Sequence, residues 1–104
     1  GYGTELKNSV LLGRSILGRL SYIGDSVIGE NVHLGTGVTT VNLLPGHTLI
    51  SMPTDVGTMN TGLNKLGAFI GDNVSVGARH VLAPGTRIHS GQVLDDLITL
   101  RSTF

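Results

Sequence analysis

Apolar and polar positions recur in this chain with a period of six. Ile28-Gly29-Glu30-Asn31-Val32-His33 and Leu34-Gly35-Thr36-Gly37-Val38-Thr39 each place an aliphatic residue first, then Gly, two polar or small residues, and Val. The same unit opens at Ile70, Val76, Leu82 and Ile88, with Leu94 beginning another. Carried backwards in phase, it puts Val10, Ile16 and Tyr22 in the leading position, and carried forwards it puts Thr40 there. A helix face repeats near 3.6 residues and a strand face at 2, so neither accounts for six. A short strand followed by a tight corner, three times per coil, does. It predicts a triangular solenoid whose leading residues converge on the axis, with parallel strands stacking between coils.

The pattern breaks between Thr40 and Ile70, where Pro45-Gly46, Pro53-Thr54-Asp55 and Gly57 interrupt it. A long loop over about residues 43–67 is predicted to leave the solenoid here. Loops of this length usually carry function, so its root is the expected place for chemistry. The segment Leu97–Leu100 is apolar enough for a last strand.

Composition narrows the picture. The chain has 104 residues, which suits one domain spanning 1–104, and its formal net charge is +0. No basic field is present to hold nucleic acid or an anionic membrane. Cys is 0, so disulfide frameworks and thiolate metal sites are excluded. Gly is 16 while charged residues are only 13%, as expected for many corners and few solvated helix faces. The chain opens on Gly1 without a recognisable leader, which predicts an excised piece of a longer protein and a cytoplasmic location. A short prism has open ends and flat sides, and packing three copies around a threefold axis is the expected remedy, hence a homotrimer.

The Gly residues read as corner residues, and Gly35-Thr36-Gly37 lacks the following helix that a dinucleotide loop requires. Asp25, Glu30, Asp72 and Asn73 likewise fit turns, where short polar side chains bond local backbone. Taken on its own, Tyr22 fits an inward core residue, Asn42 a corner cap and Lys65 a solvated side chain.

The run Leu20-Ser21-Tyr22-Ile23-Gly24-Asp25-Ser26-Val27-Ile28-Gly29-Glu30-Asn31-Val32, with Leu34-Gly35-Thr36-Gly37, Asn42 and the block Thr61–Val74, resembles the β-helix domain of bifunctional sugar-1-phosphate nucleotidylyltransferase/acetyltransferases. The resemblance implies an all-β, left-handed parallel β-helix that forms the C-terminal part of a longer nucleotidyltransferase. It implies acetyl transfer from acetyl-CoA to an amino-sugar phosphate in a cleft between subunits of a homotrimer, with no metal in this domain. Position by position, Tyr22 and Asn42 match residues that contact the sugar and Lys65 one that contacts the phosphate. Ala78 matches a residue whose backbone meets the acetyl thioester.

Two departures bear on turnover. The general-base His that the resemblance implies is Arg19 here, and a guanidinium, already carrying its proton, cannot accept another. A sugar-contacting Asn is replaced by His33, so His33 or His80 becomes the candidate for a relocated base, with Arg19 left to bind substrate. In addition, Asp95-Asp96 stand where the family has small residues along the pantetheine groove. A non-catalytic trimerisation or regulatory domain is therefore the alternative. A zinc protein resembling the γ-class carbonic anhydrases, through His33, His47, His80 and His89, is a minor one, since the His spacings do not match that family.

Overall fold

The structure, a computed structural model, describes residues 1–97. The strand expected at Leu97–Leu100 therefore falls largely outside the described residues. Twelve two- or three-residue strands wind around a common axis. They are β1 (Glu5–Lys7), β2 (Val10–Leu11), β3 (Ile16–Leu17), β4 (Tyr22–Gly24), β5 (Val27–Ile28), β6 (His33–Leu34) and β7 (Thr39–Thr40), then β10 (Phe69–Ile70), β11 (Ser75–Val76), β12 (Val81–Leu82), β13 (Arg87–Ile88) and β14 (Val93–Leu94). Between them, β8 (Ser51–Thr54) and β9 (Gly57–Asn60) form an antiparallel hairpin. The first sheet stacks β1-β4-β7-β12, the second β2-β5-β10-β13 and the third β3-β6-β11-β14, all in parallel. The fold is thus a parallel β-helix of hexapeptide repeats, with one protruding loop. No helix among the described residues is long and apolar enough to cross a membrane.

Side chains converge on the axis as the repeat requires. Ile28, Leu34, Thr40, Ile70, Val76, Leu82 and Ile88 are buried, and Val32, Val38 and Val74 fill the space between them. Thr40 is fully buried despite its hydroxyl because Oγ1 accepts the Gly24 N–H at 2.9 Å, satisfying both groups.

The backward extension of the repeat requires correction. Val10 and Ile16 are 52% and 59% exposed and Tyr22 is only half-buried, whereas Ile23 is fully buried and Leu11 and Leu17 pack on the core. The cause is the length of the first coil. Leu11 pairs with Ile28 and Leu17 with Leu34, an offset of 17, whereas Ile70 pairs with Ile88 and Val76 with Leu94, an offset of 18. The missing residue is at the corner between Ile23 and Ile28. There Asp25 takes a left-handed φ of 49°, and the Ser26 hydroxyl donates to Gly24 O at 2.8 Å while accepting Ala68 N–H at 2.9 Å. One fewer residue rotates the side chains from Val10 to Tyr22 to the other face of their strands. Tyr22 consequently points outward.

The long loop is also more ordered than its sequence suggests. After a 3₁₀ turn at Pro45–His47 the chain runs through buried Ile50 into the hairpin. Gly85 forms the floor beneath it: a Cβ there would lie 2.9 Å from Ser51 O, and its φ is +79°. Arg87 Nη1 donates to Pro53 O at 2.9 Å from the neighbouring sheet. The excursion leaves the stacking intact, since Val27 pairs with Phe69, His33 with Ser75 and Thr39 with Val81, each 42 residues on.

Candidate functional site

Tyr22 and Gly24 share the outer face of β4, because Ile23 between them faces the core. The ring lies over Gly24 so closely that a Cβ there would come within 2.6 Å of Tyr22 Oη and 2.8 Å of Asn42 Nδ2. Asn42 follows β7, one coil above Asp25. Its Nδ2 donates to Tyr22 Oη at 3.1 Å and to Asp25 Oδ2 at 2.8 Å. The returning limb of the hairpin closes the cluster, since Leu66 N–H donates to Asn42 O at 3.0 Å and Gly67 N–H to Asp25 O at 2.8 Å. Lys65, exposed, is therefore held beside this corner by its neighbour's backbone. Three residues singled out by resemblance thus gather at one corner, and Asp25 joins them.

The other candidates lie elsewhere. Arg19 and Ala78 occupy equivalent positions of the corner leading from the third sheet to the first, because Leu17 pairs with Leu34 and Leu34 with Val76. They are two coils apart, about 10 Å at the usual strand spacing. Arg19 is exposed, and its carbonyl accepts Gly37 N–H at 2.9 Å. His80 is half-buried, with Nε2 2.6 Å from Asp95 O, so this ring serves the corner itself. His33 is exposed on the outer face of the third sheet, paired with Ile16 and Ser75. It lines an open recess of about 740 Å³ with Arg14, Glu30 and Asp72. Neither His33 nor His80 stands in the Tyr22–Asn42 cluster. Among the described residues no three His, Cys, Asp or Glu side chains of one chain converge to hold a metal.

The Ala78 N–H is already taken: it donates to Asp96 Oδ1 at 2.7 Å. This is one rung of a recurring device, in which a side chain one coil on accepts a corner N–H that no strand satisfies. Asp72 does so for Glu30, and Ser90 for Asp72. Asp95 and Asp96 are exposed beside it. With its N–H occupied and two exposed carboxylates following in the next coil, this corner departs from the thioester contact that the resemblance implies for Ala78.

The chain is similar to several known proteins. Over 88 residues the chain is 38% identical to a bifunctional sugar-1-phosphate nucleotidylyltransferase/acetyltransferase of Sulfurisphaera tokodaii, a match covering 85% of this chain and 22% of that protein. Over 94 residues it is 33% identical to the bifunctional protein GlmU of Methanococcus vannielii, covering 90% and 22%. Its relatives are GlmU-type bifunctional enzymes. The chain spans about a fifth of the length of these GlmU-type proteins. An uncharacterized acetyltransferase, YaiX of Escherichia coli, is 34% identical over 85 residues, covering 82% of this chain and 37% of YaiX. Serine acetyltransferase isoform 3 of Entamoeba histolytica, solved with cysteine, aligns with a TM-score of 0.41 and 14% identity over 90% of this chain and 38% of that one. No protein-family model matches the chain.

Proposed function

We propose that this chain is the β-helix domain of a sugar-phosphate nucleotidyltransferase-type protein and that it binds an amino-sugar phosphate at the Tyr22–Asn42 corner. The supporting observation is the outward Tyr22, joined to Asn42 at 3.1 Å with Lys65 alongside. A phenol and an amide orient sugar hydroxyls and the amino group, and the ammonium of Lys65 complements the phosphate. Arg19 stands at a different corner of the same chain and is free to add a second cation to a cleft made between copies. The resemblance supports such clefts, and with them a homotrimer.

A second reading, that the domain binds but does not turn over, is favoured by two observations. Arg19 stands where the resemblance implies a His base, and Asp96 fills the Ala78 N–H. No acetyl-transfer step is assigned to this chain on that account. Calorimetric titration of the whole chain with glucosamine 1-phosphate and, separately, acetyl-CoA tests both readings. Binding of the sugar phosphate with no heat from acetyl-CoA is expected, and Asp96→Ala, which frees the N–H and removes a charge, is expected to create measurable acetyl-CoA binding. Tight acetyl-CoA binding by the unaltered chain would reject the closed donor site. Absence of sugar-phosphate binding to the assembled protein would reject the assignment of the corner.

A further inference from the structure

Asp25 is half-buried at a left-handed corner, and its side chain reaches across one coil to Asn42. A carboxylate oxygen only accepts, so the atom 2.8 Å from Asp25 Oδ2 must be the amide nitrogen. Asn42 therefore has a single possible orientation. The two hydrogens of Nδ2 are both used, one on Asp25 and one on Tyr22 Oη. Two consequences follow from counting donors and acceptors. Tyr22 Oη already accepts, which leaves its own hydrogen to donate outward. Asn42 Oδ1 has no partner among the described residues, and since no buried side-chain polar atom among them lacks one, Oδ1 opens to solvent.

We infer that Asp25 is a positioning residue that locks the Asn42 amide, so that the corner offers a ligand one acceptor, Asn42 Oδ1, beside one donor, the Tyr22 hydroxyl. Such a pair selects a sugar carrying an amine or hydroxyl where it meets Oδ1 and disfavours one with nothing to donate there. Without Asp25 the amide is free to flip, presenting Nδ2 to the ligand and erasing the distinction. The selectivity rests on the sugar-phosphate reading above, whereas the lock does not.

Asp25→Gly removes the carboxylate while keeping the left-handed backbone, and Asp25→Asn retains an acceptor in the same place and also tolerates that conformation. Hydrogen exchange of the Asn42 side-chain amide, followed by NMR on the full ligand-free chain, reads the lock directly. Exchange is expected to quicken about tenfold in Asp25→Gly, the scale of one lost charge-assisted hydrogen bond, and to stay near the original rate in Asp25→Asn. Calorimetry with glucosamine 1-phosphate and 2-deoxyglucose 1-phosphate then reads selectivity. The preference for the amino sugar is expected to fall about tenfold in Asp25→Gly and to be restored in Asp25→Asn. Unchanged exchange in Asp25→Gly overturns the lock, and equal loss of both ligands at constant preference overturns the selectivity. If exchange reports the lock but neither ligand binds the unaltered chain, the sugar-phosphate assignment and the selectivity fall together, and the positioning role stands on exchange alone.

Discussion

Replacing Ile23 by Ala probes the shortened first coil where its consequence is largest. The side chain is fully buried among Ile28, Val38, Ala68 and the rest of the core. Truncation removes three carbons, worth about 2.4 kcal/mol at ~0.8 per buried methylene. The cavity adds to this because stacked coils on both sides limit relaxation, giving about 3–4 kcal/mol in all. Ile16, with 59% of its surface exposed, should lose at most about 1 kcal/mol on the same change. Urea unfolding followed by circular dichroism measures both, at matched chain concentrations because any assembly couples to apparent stability. Were Ile16→Ala to cost as much as Ile23→Ala at every concentration, the inward phase would run through Val10, Ile16 and Tyr22 after all. A cost for Ile16 that grows with chain concentration would instead place that residue in a contact between copies.

Three further outcomes follow from the same geometry. Gly24→Ala is expected to leave the chain folded, since its Cβ meets the far ends of Tyr22 and Asn42, but to weaken sugar-phosphate binding at least about tenfold in calorimetry by separating them. Lys65→Ala should reduce affinity for glucosamine 1-phosphate about tenfold with no change for unphosphorylated glucosamine, and the difference should shrink as salt is raised. Arg79 holds a φ of 67° at a corner where the coil below uses Gly37, so Arg79→Gly should raise unfolding stability by about 1 kcal/mol in the same urea assay.

The six-residue period was enough to predict three parallel sheets and the inward row from Ile28 onward. Its phase before Ile28 could not be read, because Val10-Leu11, Ile16-Leu17 and Tyr22-Ile23 are adjacent apolar pairs and either member fits the axis. Only the pairing offset of 17 decides between them. The hairpin was hidden for a related reason: Ser51-Met52-Pro53-Thr54 alternates weakly and contains a Pro, which a two-stranded ribbon accepts because every strand in it is an edge. At the candidate site, resemblance supplied Tyr22, Asn42 and Lys65 but not Asp25, which had an adequate local explanation as a turn residue. The signal was available in the numbering, since Asp25 and Asn42 are 17 apart, one short coil. Asp96 was legible as a charge but not as the acceptor for Ala78 N–H, because that bond depends on which corner stacks beneath it.

The hairpin departs from and rejoins the prism at a single edge, so whatever it carries adds nothing to the pitch of the coils. Its tip, at Val56, is 98% exposed and touches none of the three stacked ladders. That makes the tip a natural graft point: an epitope tag or a fluorophore placed there would report on the corner below while the scaffold kept every one of its strand partners.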